Sequence, residues 1–102
     1  MAQELQHLEE ALSRKCHNFI IYRNQINKDL SRSGLEEVDQ DDPKAFLNAV
    51  AERLNELMED SDSRLQQLYY LADVQERHLE KGIILGFLYR EWIKVKFRLG
   101  HQ

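Results

Sequence analysis

The chain has 102 residues, 42% of them hydrophobic and 31% charged, with a formal charge of −4 at neutral pH and a mean hydropathy of −0.64. That is one domain, polar on average yet apolar enough to close a single modest core. One proline and four glycines are too few for a many-stranded sheet, and the lone Cys16 excludes a disulfide framework and a multi-cysteine zinc site.

In chain order, the first predicted element is a helix over residues 2–31. Leu5, Leu12, Phe19 and Ile26 recur every seven residues, and Leu8, Cys16, Tyr22 and Leu30 widen that stripe into the apolar face of an amphipathic helix. Gly34 offers a left-handed cap at its end. Residues 32–42 form a connector that is acidic from Glu36 onward. Asp42-Pro43 signals a new start, because a carboxylate caps free amides and proline fits the first helical position. A second helix over 43–60 then carries Phe46, Leu47, Val50, Leu54, Leu57 and Met58 on one side, with Glu52, Glu56 and Glu59 opposite.

After the polar turn at residues 60–63, a third helix is expected over 64–99, with no proline in it. Leu65, Leu68, Ala72, Val74 and Leu79 line its first half, and Leu85, Leu88, Trp92, Val95 and Leu99 its second. Gly82 and Gly86 interrupt it, each at about 1 kcal/mol relative to alanine. They mark a kink, a break or a close helix crossing, three readings that the sequence leaves open.

At 1.5 Å per residue these helices measure roughly 45, 27 and 54 Å. A straight third helix projects beyond its shorter hairpin partner, yet residues 83–89 are apolar almost all round. Either the chain folds back at the glycines, or a second copy covers the exposed collar. The second solution is favoured, since neither glycine has the polar flanks of an ordinary turn. The expected fold is therefore all-α: a single-domain bundle of three main helices, completed by dimerisation. Ile84, Leu85, Leu88, Trp92, Val95 and Leu99 form the expected interface, with Trp92 as its main anchor.

Charge is unevenly spread. Residues 36–62 hold two cations against ten carboxylates, and residues 81–102 five against one. Arg90, Lys94 and Arg98 recur every four residues and line one face of the last helix. This strip serves solubility, orientation of a protein partner, or, as an alternative function, weak binding to nucleic acid or an anionic membrane.

Catalytic constellations are sparse. His78-Leu79-Glu80-Lys81-Gly82 resembles the H-x-x-K-G core of histidine-phosphotransfer domains over five residues; the resemblance implies an exposed helical phosphoacceptor, His78, assisted by Lys81. Glu80, Ile83 and Ile84 depart from that pattern, and about 20 residues remain for the hairpin that should follow. Glu4 and His7 make one half of a Glu-x-x-His pair without its second half. Cys16 and His17 are adjacent and diverge by about 100° on a helix, so neither activates the other. No phosphate loop, catalytic residue, metal site or cofactor site is expected. Residues 1–7 lack a basic stretch followed by an apolar one, and the run from Gly82 to Tyr89 is too short for a bilayer, so the expected setting is cytoplasmic. The functional expectation is a non-enzymatic, homodimeric interaction or assembly module.

Overall fold

The long N-terminal helix is in fact two. In the computed structural model, which describes residues 2–100, α1 spans Ala2–Ser13 and α2 spans Cys16–Arg32. Between Leu12 and Phe19 no residue has a large apolar side chain to hold the stripe on the core. Ser13 Oγ donates back to the Glu9 carbonyl at 2.8 Å, and Lys15 turns extended at φ −139°. The corner lays Leu8 and Leu12 against the rest of the molecule, while Cys16, expected in the core, is exposed at the bend.

Helix α2 ends in a Schellman motif: the Leu35 amide reaches the Leu30 carbonyl, the Gly34 amide reaches Ser31, and Gly34 sits at φ +80°. The connector then doubles back along α2. Asn27 holds both backbone groups of Val38, accepting its N–H at 2.8 Å and donating to its carbonyl at 3.0 Å. Arg23 takes the Gln40 carbonyl and the Asp41 carboxylate further on. This return brings Asp42, whose side chain caps the Ala45 amide, to the beginning of α2 again. Helix α3, Pro43–Glu59, therefore runs in the same direction as α2. Its Phe46 packs edge-on against Phe19 and Tyr22, and Arg53 reaches the Glu36 carbonyl near the far end.

The expected third helix is also divided. Helix α4 stops after Arg64–Leu71; residues 72–75 turn, Glu76–Leu79 make a short 3-10 turn, and α5 occupies Ile83–Arg98. The stop is a second Schellman motif, with Asp73 at φ +57° in the left-handed position and the Val74 amide on the Tyr69 carbonyl. Arg90 fixes that residue, donating to the Asp73 carbonyl at 3.1 Å and to its carboxylate at 2.9 Å. Gly82, at φ +109°, makes the second corner, a conformation that a side chain strains. Gly86 serves a different purpose: a Cβ there would overlap the His78 carbonyl, so its absence lets the 3-10 turn press onto α5.

The fold-back corrects the expected projecting collar. Leu85, Phe87 and Leu88 are buried inside this chain, with Tyr69 stacked on Phe87 at 5.2 Å. Helix α5 also runs alongside α2 in the same direction, since Tyr22 meets Leu88 and Asp29 meets Lys94. Helices α2, α3 and α5 thus enclose Tyr22, Ile26, Phe46, Val50, Leu54 and Leu88, while α1 and α4 close the ends and sides. The radius of gyration, 12.7 Å, equals that of a closed domain of this length (about 13 Å). No helix among the described residues is long and apolar enough to cross a membrane.

Candidate functional site

Helix α5 carries buried chemistry on one face and part of the exposed apolar surface on the other, Ile20, Met58 and Tyr70 being exposed on the other helices. The inner face carries a carboxyl group into the core. Glu91 lies three residues after Leu88 and four before Val95, on the buried stripe, and its side chain is wholly enclosed. Facing it from α2 are Asp29, 2% exposed, and Gln25 one turn earlier. Lys94 Nζ stands 3.3 Å from Asp29 Oδ2 and 3.2 Å from Glu91 Oε1. The Gln25 amide donates to Asp29 Oδ2 at 3.2 Å.

Two carboxylates and one ammonium leave an uncompensated negative charge where water cannot screen it. Burial, followed by the adjoining Asp29 carboxyl, pushes Glu91 up to about 9 against the opposing pull of Lys94. At neutral pH Glu91 accordingly keeps its proton and can donate it toward Asp29. That proton resolves an otherwise costly arrangement, since neither Glu91 oxygen receives a directed hydrogen bond from a neighbour. Tyr22 completes the group; its hydroxyl donates to the Leu88 carbonyl at 2.8 Å, and burial beside Glu91 raises it well above the ordinary phenol range.

The outer face is apolar. Tyr89, Ile93 and Phe97 recur every four residues and so share one line along α5. Tyr89 and Ile93 are half-buried, whereas Phe97 is 80% exposed. Leu85, Gly86, Tyr89 and Ile93 floor a groove of about 280 Å³, with a rim of mixed charge in which Glu4 and Glu80 stand among Arg77, His78, Lys81 and Arg90. Tyr89 closes one side of it through a hydrogen bond to the Glu4 carbonyl at 2.8 Å.

The six residues expected at an interface separate in the structure. Leu85, Leu88 and Val95 belong to the interior of this chain, because α5 folds back instead of projecting. Ile84, Trp92 and Leu99 are half-buried and pack on the core, with Trp92 edge-on to Tyr22 at 6.1 Å and beneath Lys96 at 5.9 Å. The basic strip separates as well: Arg90 holds Asp73 and Lys94 holds the acid pair, which leaves Arg98 exposed.

His78 does not sit on an exposed helix as the five-residue resemblance implies. It lies in the 3-10 turn, where Nδ1 accepts the Gln75 amide at 2.8 Å. Partial burial and the nearby Arg90 and Arg77 hold its pKa below the usual value, so the imidazole is neutral with its proton on Nε2. Lys81 is 3.7 Å from Glu4. Among the described residues, no three His, Cys, Asp or Glu side chains converge in a way that would hold a metal.

Sequence reasoning missed Asp29, Glu91 and Gln25. The signal was present: Asp29 follows Tyr22 by seven residues and Ile26 by three, so it falls on the seam. A carboxylate on the apolar stripe of each of two helices marks a buried pair. The groove was hidden for another reason, since it exists only once the 3-10 turn meets α5. Compared with known proteins, the chain matches no family model, no curated protein and no solved structure, so the geometry alone carries its functional reading.

Proposed function

We propose that this chain is a non-enzymatic assembly module of the cytoplasm that associates through the outer face of α5, with a second copy of itself as the partner. The observation that carries this reading is the line Tyr89, Ile93 and Phe97, which ends in a large aromatic side chain 80% open to solvent. Phe97 stands between Lys96 and Arg98, so an apolar anchor is flanked by charges that orient an approach and keep the free surface soluble. Acidic side chains on the outer side of α3, Glu52, Glu56 and Glu59, offer the complementary sign on another copy. Binding of nucleic acid or an anionic membrane draws less support, because Arg90 and Lys94 of the basic strip are engaged within the chain.

Absolute mass by light scattering, from micromolar to millimolar protein and at low and high salt, tests the reading. The expected result is a mass approaching twice the 12.2 kDa of the chain, which Phe97→Glu returns to one chain without loss of helicity. A mass fixed at one chain throughout, or a dimer indifferent to Phe97→Glu and Ile93→Glu, would overturn it.

A further inference from the structure

The segment joining α4 to α5 is shaped against the grain of its own sequence. Residues 72–82 contain no proline and several good helix formers, Gln75, Glu76, Arg77, Leu79, Glu80 and Lys81, yet form two corners and a 3-10 turn. One corner places Asp73, which has a β-carbon, at φ +57°; the other depends on Gly82 at φ +109°. Apart from Ala72 the segment is exposed or only half-buried. It is held closed at a few points: Arg90 on Asp73, Lys81 on Glu4 at 3.7 Å, the His78 ring on the Gln75 amide, the Tyr69 hydroxyl on the Ile83 carbonyl at 2.6 Å, and the packing of the 3-10 turn on Gly86.

From this conflict we infer that α5 is an exchangeable element: residues 72–82 open into helix and deliver Ile83–Arg98 to the equivalent site on a second copy of this chain. The occupant of the vacated site must be another α5. The site presents Asp29 for an ammonium at the position of Lys94, and Tyr22 for a carbonyl at the position of Leu88, among enclosed apolar walls. A released α5 in turn carries Leu88, Glu91 and Val95, all fully buried when closed, and an identical body matches them residue for residue. Exchange preserves those contacts, with Tyr69 of one copy stacked on Phe87 of the other, and releases the strained corner at Asp73; it sacrifices the Arg90 clamp and the packing of the 3-10 turn on Gly86. It goes beyond association through Tyr89, Ile93 and Phe97, because that line stays on the outside in both forms.

The test reads the distance between α4 and the end of α5 within one chain. Spin labels replace the exposed Tyr70 and Arg98 (Tyr70→Cys, Arg98→Cys) in a Cys16→Ser background, diluted into unlabelled chain so that only intrachain pairs contribute. The closed molecule extends 36 Å along its longest principal axis, whereas a helix continuous between the labels separates their backbone positions by about 42 Å. Gly82→Ala, which strains the closed corner, and Arg90→Ala, which frees Asp73, should each raise the dimer fraction at least tenfold. Both should lengthen that distance beyond the closed span, in the presence or absence of Phe97→Glu.

Variants that stay at one chain, or dimers with the closed distance, would overturn exchange. A short-distance dimer abolished by Phe97→Glu would at the same time uphold association through the outer line. If both hinge variants unfold, wild-type protein unfolded and refolded at millimolar concentration gives the same reading: a dimer with the long distance supports exchange, and monomer alone refutes it.

Discussion

Glu91 is a carboxylic acid at the centre of a helical core, and its proton links stability to pH. Because its pKa in the folded protein is about 9, against an ordinary 4.5, the folded chain holds one more proton than the unfolded chain between those values. This contribution is complete below the lower value and is lost as pH rises through the upper one. Chemical denaturation from pH 5 to 9 should therefore show stability falling, by at most about 1.4 kcal/mol per pH unit from this group. Glu91→Gln, which donates toward Asp29 without titrating, should remove that slope and change stability little at neutral pH. Lys94→Met is the harsher substitution, as it leaves the Asp29 carboxylate buried without its cation, at a cost of about 3 kcal/mol. A smaller effect of opposite sign belongs to Ser61, which ends α3 at φ +51° with an exposed side chain. Ser61→Gly should raise the denaturation midpoint by the equivalent of about 0.5–1 kcal/mol.

Among the elements, the return connector is fastened by Arg53 near its start, Arg23 near its end and Asn27 at its middle. Asn27 is fastened to both backbone groups of Val38, and that bond pair sets where α3 begins relative to α2. Asn27→Ala should destabilise the protein by about 2 kcal/mol and speed amide exchange across residues 35–42 ahead of the helices. Gly86→Ala should cost about 2 kcal/mol or more in the same assay, since the new methyl group meets backbone and not a yielding side chain. These two elements show what the sequence discloses and what it conceals. Gly34 and the Asp42-Pro43 pair announce the ends of α2 and α3 because their chemistry is specific to those positions. The stop at Asp73 is concealed because an aspartate fills the left-handed place that glycine usually takes, and the stop is secured by Arg90, 17 residues away. The break at Lys15 is equally silent, since a polar gap in a heptad stripe looks the same in a straight helix and at a corner. Of the two glycines in the third stretch, Gly82 is a break and Gly86 a close crossing, a distinction that only the neighbour of each can make.

At the scale of the whole molecule, α2, α3 and α5 run in one direction, and the second and third of them must each be reached by a chain that first travels back. The connector at residues 33–42 supplies one return; α4 with the segment 72–82 supplies the other. Most small helical domains join antiparallel neighbours by short loops and fold from contacts close in sequence. Here the hydroxyl of Tyr22 waits for a carbonyl 66 residues further along, and Lys94 pairs with a carboxylate 65 residues before it. Individual helices form in about a microsecond, but closing so long a loop carries an entropic penalty before the first such contact forms. In stopped-flow refolding, helical signal should thus precede the change in Trp92 fluorescence that reports its arrival against Tyr22. Until that arrival the acid pair has no core around it, Glu91 titrates as an ordinary carboxylate, and the proton it later keeps must be captured from solvent. Docking of α5 is thereby coupled to the uptake of one hydrogen ion between about pH 4.5 and 9, so an indicator dye in weakly buffered refolding should register that uptake together with the Trp92 signal and not with the earlier helical one.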